Sequence, residues 1–292
     1  MGAIDRIARV MAWFINVGLF PLSIYRAIDF KGKLLISGHV KRFPPNGVYR
    51  CRGLLFDLDF ADGLQQAIYL NLFERPETEM IKRLIKPGDV IVDVGANVGY
   101  YSVHLSSLVG ESGFVHAFEP DPKNYFRLVR NLQLNGFEKR SRANQMAVSS
   151  SSGTAQFILT PAQDSGWGHV AEGAPAAGEQ TVQVHTTKLD DYLQSQDVRS
   201  VSFLKCDIEG HEFDFLAGAT RTLEARAIGK VLIEYNGFNL NPRGRSVAEF
   251  VELFERCGYR PIEINLDRVE KSRQQRVVSD RDTYNLLFEK IG

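Results

Sequence analysis

The chain has 292 residues, 44% hydrophobic and 24% charged, the composition of a globular protein long enough to bury a full core. Its 35 basic and 35 acidic residues cancel, which removes the broad positive field of nucleic-acid binders and leaves nucleic acid outside the expected partners. Cys51, Cys206 and Cys257 are odd in number and scattered without a CxxC pair, so no zinc or redox centre is expected and a reducing, cytoplasmic setting fits.

Val10 to Tyr25 carries no charge, follows Arg6 and Arg9, and contains Trp13, Phe14, Leu19 and Phe20. It is short for a bilayer span, which takes about 20 apolar residues, and Asn16, Gly18 and Pro21 interrupt it. No small-residue cleavage site follows, so a secretory signal fits poorly. A helix packed on the main domain is the expectation, with peripheral membrane contact through residues 10–25 as the alternative. Short strands at Lys33 to Val40, Val48 to Arg52 and Leu54 to Phe60 and a helix at Leu64 to Phe73 complete an N-terminal extension over residues 1–75.

The main domain is expected over residues 76–292. Pro76 to Ile85 reads as a helix, with proline at its first position, glutamates in its first turn and Lys86-Pro87-Gly88 closing it. Strand Asp89 to Val94, helix Tyr100 to Leu108, strand Gly113 to Phe118 and helix Pro122 to Leu134 then alternate, the last ended by Asn135-Gly136. Further strands are expected at Ser141 to Val148, Ala155 to Leu159, Thr181 to Thr186, Val201 to Cys206, Lys230 to Tyr235, Arg260 to Ile264 and Thr283 to Phe288, and helices at Leu189 to Gln194, Phe213 to Leu223 and Val247 to Arg256. Such alternation means a doubly wound α/β domain, a mostly parallel sheet with helices on both faces. Gln163 to Gln180, rich in Gly, Ala, Pro and Glu, reads as a long loop of the kind that closes over a ligand, with Trp167 and His169 facing the acceptor.

Val92-Asp93-Val94-Gly95-Ala96-Asn97-Val98-Gly99-Tyr100 sits where the first core strand turns into its helix, the edge at which open α/β sheets bind ligands. Glycines bring bare backbone up to a ligand, and the helix start offers N–H donors and positive potential. The second strand ends in Ala117-Phe118-Glu119-Pro120, which puts Glu119 within reach of ribose hydroxyls. In a dinucleotide fold the second glycine of the turn lets the backbone touch a pyrophosphate, and here Asn97 takes that place. An adenine, a ribose and a compact amino-acid tail fit instead, with Asp93 and Asn97 suited to the amine and carboxylate of S-adenosylmethionine. The structural alternatives are that Asp93 caps the glycine turn and that Glu119 is only a helix N-cap neighbour.

The segments Lys86 to Gly99, Ala117-Phe118-Glu119-Pro120-Asp121-Pro122, Leu204 to Glu212 and Val231-Leu232-Ile233-Glu234 together resemble the FkbM-type methyltransferases. The resemblance implies S-adenosylmethionine as cofactor, transfer usually to a hydroxyl oxygen, and a seven-stranded Rossmann-like sheet of the class I methyltransferase kind, whose last strand, here Thr283 to Phe288, runs antiparallel. A small-molecule or glycan acceptor follows from it. It covers little of residues 1–60.

Val201 to Cys206 delivers Asp207, Glu209, His211 and Glu212 onto the cofactor edge, and the next strand adds Glu234. A neutral hydroxyl is a poor nucleophile, so its methylation needs in-line approach and a route for the proton. Asp207 and Glu209 are the first candidates for the base, with His211 and Glu234 as alternatives. Against these stand structural readings: Glu212 caps the following helix, His211 bonds a loop, and Lys205 pairs with an acid. The D-x-E-x-H run is too short to specify a metal, and none is assigned. Two other classes compete: an NAD-dependent oxidoreductase, which shares the glycine turn and ribose acid, and a non-catalytic module that docks a partner or membrane through the aromatic N-terminus.

Overall fold

The computed structural model describes residues 43–159, 165–171, 173–262 and 283–292. The apolar segment Val10 to Tyr25, the strand expected at Lys33 to Val40 and the end of Arg260 to Ile264 beyond Ile262 lie outside them. Among the described residues no helix is long and apolar enough to cross a membrane.

The chain forms two compact units, the first ending at Leu84 and also taking Ser165 and Gly166. It begins with β1 (Gly47–Cys51) and β2 (Leu54–Leu58), an antiparallel hairpin. Arg52 and Gly53 close it with φ of 50° and 88°, the left-handed pair that a two-residue hairpin turn requires. Helix α1 (Gly63–Tyr69) follows, its N-cap Asp62 accepting from the Leu64 N–H at 3.0 Å, and then α2 (Arg75–Leu84). Phe43, Tyr49, Phe60 and Tyr69 form an aromatic cluster with centroid distances of 5.1 to 5.5 Å between the Phe60 ring and the Phe43, Tyr49 and Tyr69 rings.

The second unit is Ile85–Leu159 with Trp167–Gly292. It runs β3 (Val90–Val94), α3 (Tyr100–Leu108), β4 (Phe114–Phe118), α4 (Pro122–Leu134) and β5 (Ser141–Asn144). It continues through β6 (Met146–Val148), β7 (Gly153–Leu159), β8 (His169–Val170), β9 (Gln180–Thr187), α5 (Leu189–Ser195) and β10 (Val201–Cys206). The remainder is α6 (Glu212–Gly218), α7 (Thr220–Glu224), β11 (Ile228–Asn236), α8 (Gly237–Leu240), α9 (Val247–Arg256), β12 (Tyr259–Ile262) and β13 (Thr283–Lys290). Seven strands form the main sheet in the order β12-β13-β11-β10-β3-β4-β5, with β13 antiparallel to both neighbours and every other pairing parallel. The expected doubly wound α/β fold and its antiparallel last strand are therefore present.

Strands β3 and β10 are near-continuous apolar runs, as burial on both faces of a parallel sheet demands, and Val92, Leu204 and Ile233 lie fully buried at its centre. From β3 the chain builds outward to β4 and β5, then returns to lay β10 and β11 on the other side of β3. Strand order thus reverses between β3 and β10, and the crevice at such a switch point is where ligands bind.

Three expectations change. The strand expected over Ser141 to Val148 breaks at Gln145: Asn144 turns its amide onto the Ala117 carbonyl at 3.0 Å, and β6 leaves to join a second sheet, β6-β9-β7-β8. The helix expected over Phe213 to Leu223 breaks at Ala219. Gly218 packs so tightly that a Cβ there would lie 2.0 Å from the Ser149 carbonyl oxygen, and Asp190 restarts the helix by accepting the N–H groups of Arg221 and Thr222, each at 2.9 Å. The stretch read as a loop from Gln163 to Gln180 holds a 3₁₀ turn, Ser165–Trp167, and β8, which pairs with β7 through His169↔Ile158 and Val170↔Phe157.

Candidate active site

Asp93 sits at the end of β3 with no exposure, and its Oδ2 accepts from the Ser102 hydroxyl at 2.6 Å. Its Oδ1 is buried without a hydrogen-bond partner among the described residues. Burial raises its pKa, and Lys205 on the neighbouring strand opposes the rise. Beyond it the N–H groups of Gly95 and Ala96 both donate to the Phe118 carbonyl, at 3.0 and 2.9 Å. Asn97 adopts φ of 50°, a left-handed conformation that asparagine tolerates, and its Oδ1 accepts from the Val98 N–H. Gly99, at φ 87°, opens α3 against Leu128, whose Cδ1 would lie 2.8 Å from a Cβ.

Glu119 at the end of β4 spans this turn. One carboxylate oxygen accepts from the Asn97 N–H at 2.8 Å and the other from Asp121 at 2.9 Å. It is 5% exposed, and burial pushes its pKa up to about 8 against those two hydrogen bonds.

The turn after β10 abuts the glycine turn. The Asp207 N–H donates to the Val94 carbonyl at 3.1 Å. Asp207 pairs with the buried Lys205 at 3.0 Å, and the lysine also lies over the Tyr101 ring, 4.6 Å from its centroid. Glu209 and Gly210 have φ of 54° and 100°, so a glutamate is held in a strained backbone conformation at the centre of the turn. Three contacts hold it there: Asn236 Nδ2 to the Glu209 carboxylate at 2.8 Å, Asn239 Nδ2 to the Glu209 carbonyl at 2.9 Å, and Arg243 Nη1 to the Gly210 carbonyl at 2.8 Å. Glu212 closes the turn from below, its Oε1 accepting from Gly210 at 3.1 Å and Ile208 at 3.4 Å while Oε2 has no partner among the described residues.

Carboxylate oxygens of Asp207, Glu209 and Glu234 come within 4.8 Å of one another. Burial first, then repulsion from Asp207 and Glu212, lifts the Glu209 pKa to about 9, so it carries a proton at neutral pH. Protonation and the Lys205 ammonium both relieve the charge, and we assign no metal. His211, at the N-cap of α6 and 6% exposed, has its Nδ1 3.6 Å from Asp214 Oδ2 and its ring 6.1 Å from that of His169.

The structure thus divides the candidates into two groups: Asp93, Gly95, Asn97, Gly99 and Glu119 around the first turn, and Asp207, Glu209, His211 and Glu234 on the rim beside it. The pairing of His211 with Asp214 was not read from the sequence, although three-residue spacing at a helix start is a visible signal for it. Asn236 and Asn239 gave no such signal, because their role is to hold a turn distant in sequence.

A glycine turn at the switch point, an acid at the end of the second strand and an antiparallel seventh strand define the class of S-adenosylmethionine-dependent methyltransferases. Asp93 Oδ1 is a buried acceptor with no donor among the described residues, which an α-ammonium would satisfy, and each Glu119 oxygen keeps a lone pair for a ribose hydroxyl, so the residues fit that cofactor. The profile of the methyltransferase FkbM domain matches residues 93–261, and the chain belongs to this family. Among curated proteins it is 29% identical to the hexuronic acid methyltransferase AglP of Haloferax volcanii over 167 residues, 55% of this chain and 62% of AglP. It is 27% identical to the 2-O-methyltransferase NoeI of Sinorhizobium fredii over 196 residues, 61% of this chain and 77% of NoeI. Neither the family nor these relatives support the nicotinamide-dependent alternative.

Proposed function

We propose that the protein transfers a methyl group to a hydroxyl oxygen of a sugar, a glycan or another small hydroxylated molecule. The observation that carries the reading is the meeting of Gly95 and Asp207 at the switch point, which sets the acid-lined turn after β10 directly against the cofactor turn after β3. Bound S-adenosylmethionine supplies a sulfonium methyl, which passes to the acceptor oxygen as the carbon–sulfur bond breaks with its electron pair left on sulfur. The protein's part is to hold the acceptor in line and to take its proton, a task for the rim formed by Asp207, Glu209, His211 and Glu234. The name of AglP, which specifies a hexuronic acid, supports a sugar-like acceptor, and that of NoeI, which specifies a 2-O-position, supports transfer to oxygen. The residues around the loop, with Trp167 45% exposed, offer an apolar ring face of the kind that stacks on sugars. Calorimetry with S-adenosylhomocysteine and NAD tests the cofactor, and transfer of labelled methyl to methyl glucuronoside and to a fractionated cell extract tests the acceptor. Tight NAD binding with no response to S-adenosylhomocysteine overturns the proposal.

A further inference from the structure

Four candidates for the base share one rim, and the surroundings of three of them, Glu209, Asp207 and His211, differ. Glu209 is protonated at neutral pH and already accepts from Asn236, and Asp207 is engaged by Lys205. A carboxyl that holds its proton cannot accept another, and the Asp207 oxygen that faces the buried Lys205 ammonium at 3.0 Å is already taken as an acceptor. His211 differs from both. Its Nδ1 faces Asp214 Oδ2 at 3.6 Å, while Asp214 Oδ1 accepts from the Ser150 hydroxyl at 3.0 Å, so the carboxylate is anchored from outside the helix with its other oxygen towards the ring. His211 Nε2 is buried and has no hydrogen-bond partner among the described residues. Beside it stands the ring of His169, inclined by 24° and itself held by an Nδ1 contact of 3.1 Å to the Trp167 carbonyl.

We propose that His211 is the base for the acceptor hydroxyl through Nε2, that Asp214 is its positioning residue, and that His169 covers the imidazole until the acceptor enters. An acidic partner on Nδ1 keeps the ring proton there and leaves the Nε2 lone pair free, the arrangement a base requires. The acceptor O–H bond breaks with its electron pair left on oxygen for the new bond to carbon, the proton goes to Nε2, and Asp214 balances the imidazolium. The His211 Nδ1 that faces it first, and the hydrogen bond from Ser150 after it, hold the Asp214 carboxyl below its usual range, so the balancing charge is present at neutral pH. The charged and titratable groups around His211 are Asp214 and Glu212 on its own helix, Asp207 and Glu209 on the preceding turn, His169 on β8, and Arg243, which reaches the Gly210 carbonyl. This inference rests on the methyl-transfer reading but can fail without it.

The test uses the full chain with ¹⁵N-labelled histidine, loaded with S-adenosylhomocysteine, the His211 signals assigned by their loss in His211→Gln. Wild type should show neutral His211 with its proton on Nδ1, and Asp214→Asn should lose that preference while Asp214→Glu largely keeps it. With methyl glucuronoside or the acceptor fraction as substrate, His211→Gln should lower turnover about 10²- to 10⁴-fold at unchanged S-adenosylhomocysteine affinity. Asp214→Asn should lower it less and move the acid limb of the pH profile to lower pH. A proton on Nε2 in wild type, or full turnover in a folded His211→Gln, overturns the inference and leaves methyl transfer standing. Failure of wild type to bind S-adenosylhomocysteine overturns the methyl-transfer reading itself. The tautomer is read without an acceptor, so it decides the matter whichever hydroxyl compound is the substrate.

Discussion

Gly95 faces the carbonyl of Asp207 so closely that a Cβ at position 95 would lie 1.8 Å from that oxygen. Its φ of 78° is a second obstacle to any side chain. Gly95→Ala should therefore push the two turns apart, destabilise the fold by more than about 1 kcal/mol and weaken S-adenosylhomocysteine binding at least about tenfold. Gly136→Ala is the control, because Gly136 has φ of 69° but nothing within 4 Å of its Cβ position. Denaturant unfolding should rank Gly95→Ala well below Gly136→Ala. Equal losses would mean that the contact with Asp207 has no energetic weight.

Glu119 ties the cofactor turn to the second strand and holds its proton up to about 8, against an ordinary 4.5. Between those two values the unfolded chain is ionised while the folded one keeps the proton, so the stability from this group falls as pH rises through that window and is flat above it. For a fully buried carboxyl the swing is on the order of 5 kcal/mol. Glu119→Gln should unfold with a flatter pH dependence, starting less stable at pH 5 because one backbone N–H loses its acceptor, with the gap to wild type narrowing towards pH 8. Glu119→Ala should also weaken S-adenosylhomocysteine by about 1.5 to 3 kcal/mol if the acid holds the ribose. Parallel pH curves for wild type and the glutamine variant would refute the first statement, and unchanged affinity in the alanine variant the second.

Lys205 is a buried cation in the middle of a parallel sheet, and Asp207 and the face of Tyr101 compensate its charge. Lys205→Met should cost about 3 kcal/mol, since it leaves Asp207 and Asp93 without their positive neighbour. Adding Asp207→Asn should recover part of the loss, with a coupling energy of about 1 to 3 kcal/mol in a double-mutant cycle. Strictly additive losses would show that the pair does not interact.

Much of this architecture was written in local patterns. The limits of α3, α4, β10 and α9 follow from the sequence because glycine, proline and asparagine punctuate apolar runs of the right period, and Asp121-Pro122 announces a helix start that the structure caps with the Asp121 side chain. What escaped was set by distant partners. Ser149 and Asp190 divide a continuous helical pattern at Ala219, and β7 draws His169 into a strand from a stretch without periodicity. The site behaves likewise: both turns were visible as motifs at strand ends, but the raised proton affinity of Glu209 depends on burial and on Asp207 and Glu212 packed beside it, which no spacing rule ranks.

Trp167, followed by the strand that brings His169 to His211, should act on the acceptor and not on the cofactor. Trp167→Ala should raise the KM for methyl glucuronoside several-fold, the loss of one stacking contact of about 0.5 to 1.5 kcal/mol, and leave S-adenosylhomocysteine affinity unchanged. An unaltered KM would assign the tryptophan to the surface alone.

Isosteric changes on the rim separate the remaining roles. Asp207→Asn and Glu209→Gln keep volume and change only the capacity for charge, so a base would show a large fall in turnover at nearly constant cofactor affinity, and a cofactor ligand the reverse. Because the Glu209 pKa stands at about 9, the glutamine variant imitates the form present at neutral pH. Wild type should lose activity as pH rises through that value, where a third anion forms beside Asp207 and Glu212, and Glu209→Gln should keep its activity there. Asp207→Asn removes the carboxylate that pairs with the Lys205 ammonium at 3.0 Å, so its effect should appear as lower S-adenosylhomocysteine affinity and lower stability before any change in the acid limb. If Glu209→Gln instead erased the acid limb together with turnover, Glu209 would be the base, and the imidazole of His211 would only brace the turn.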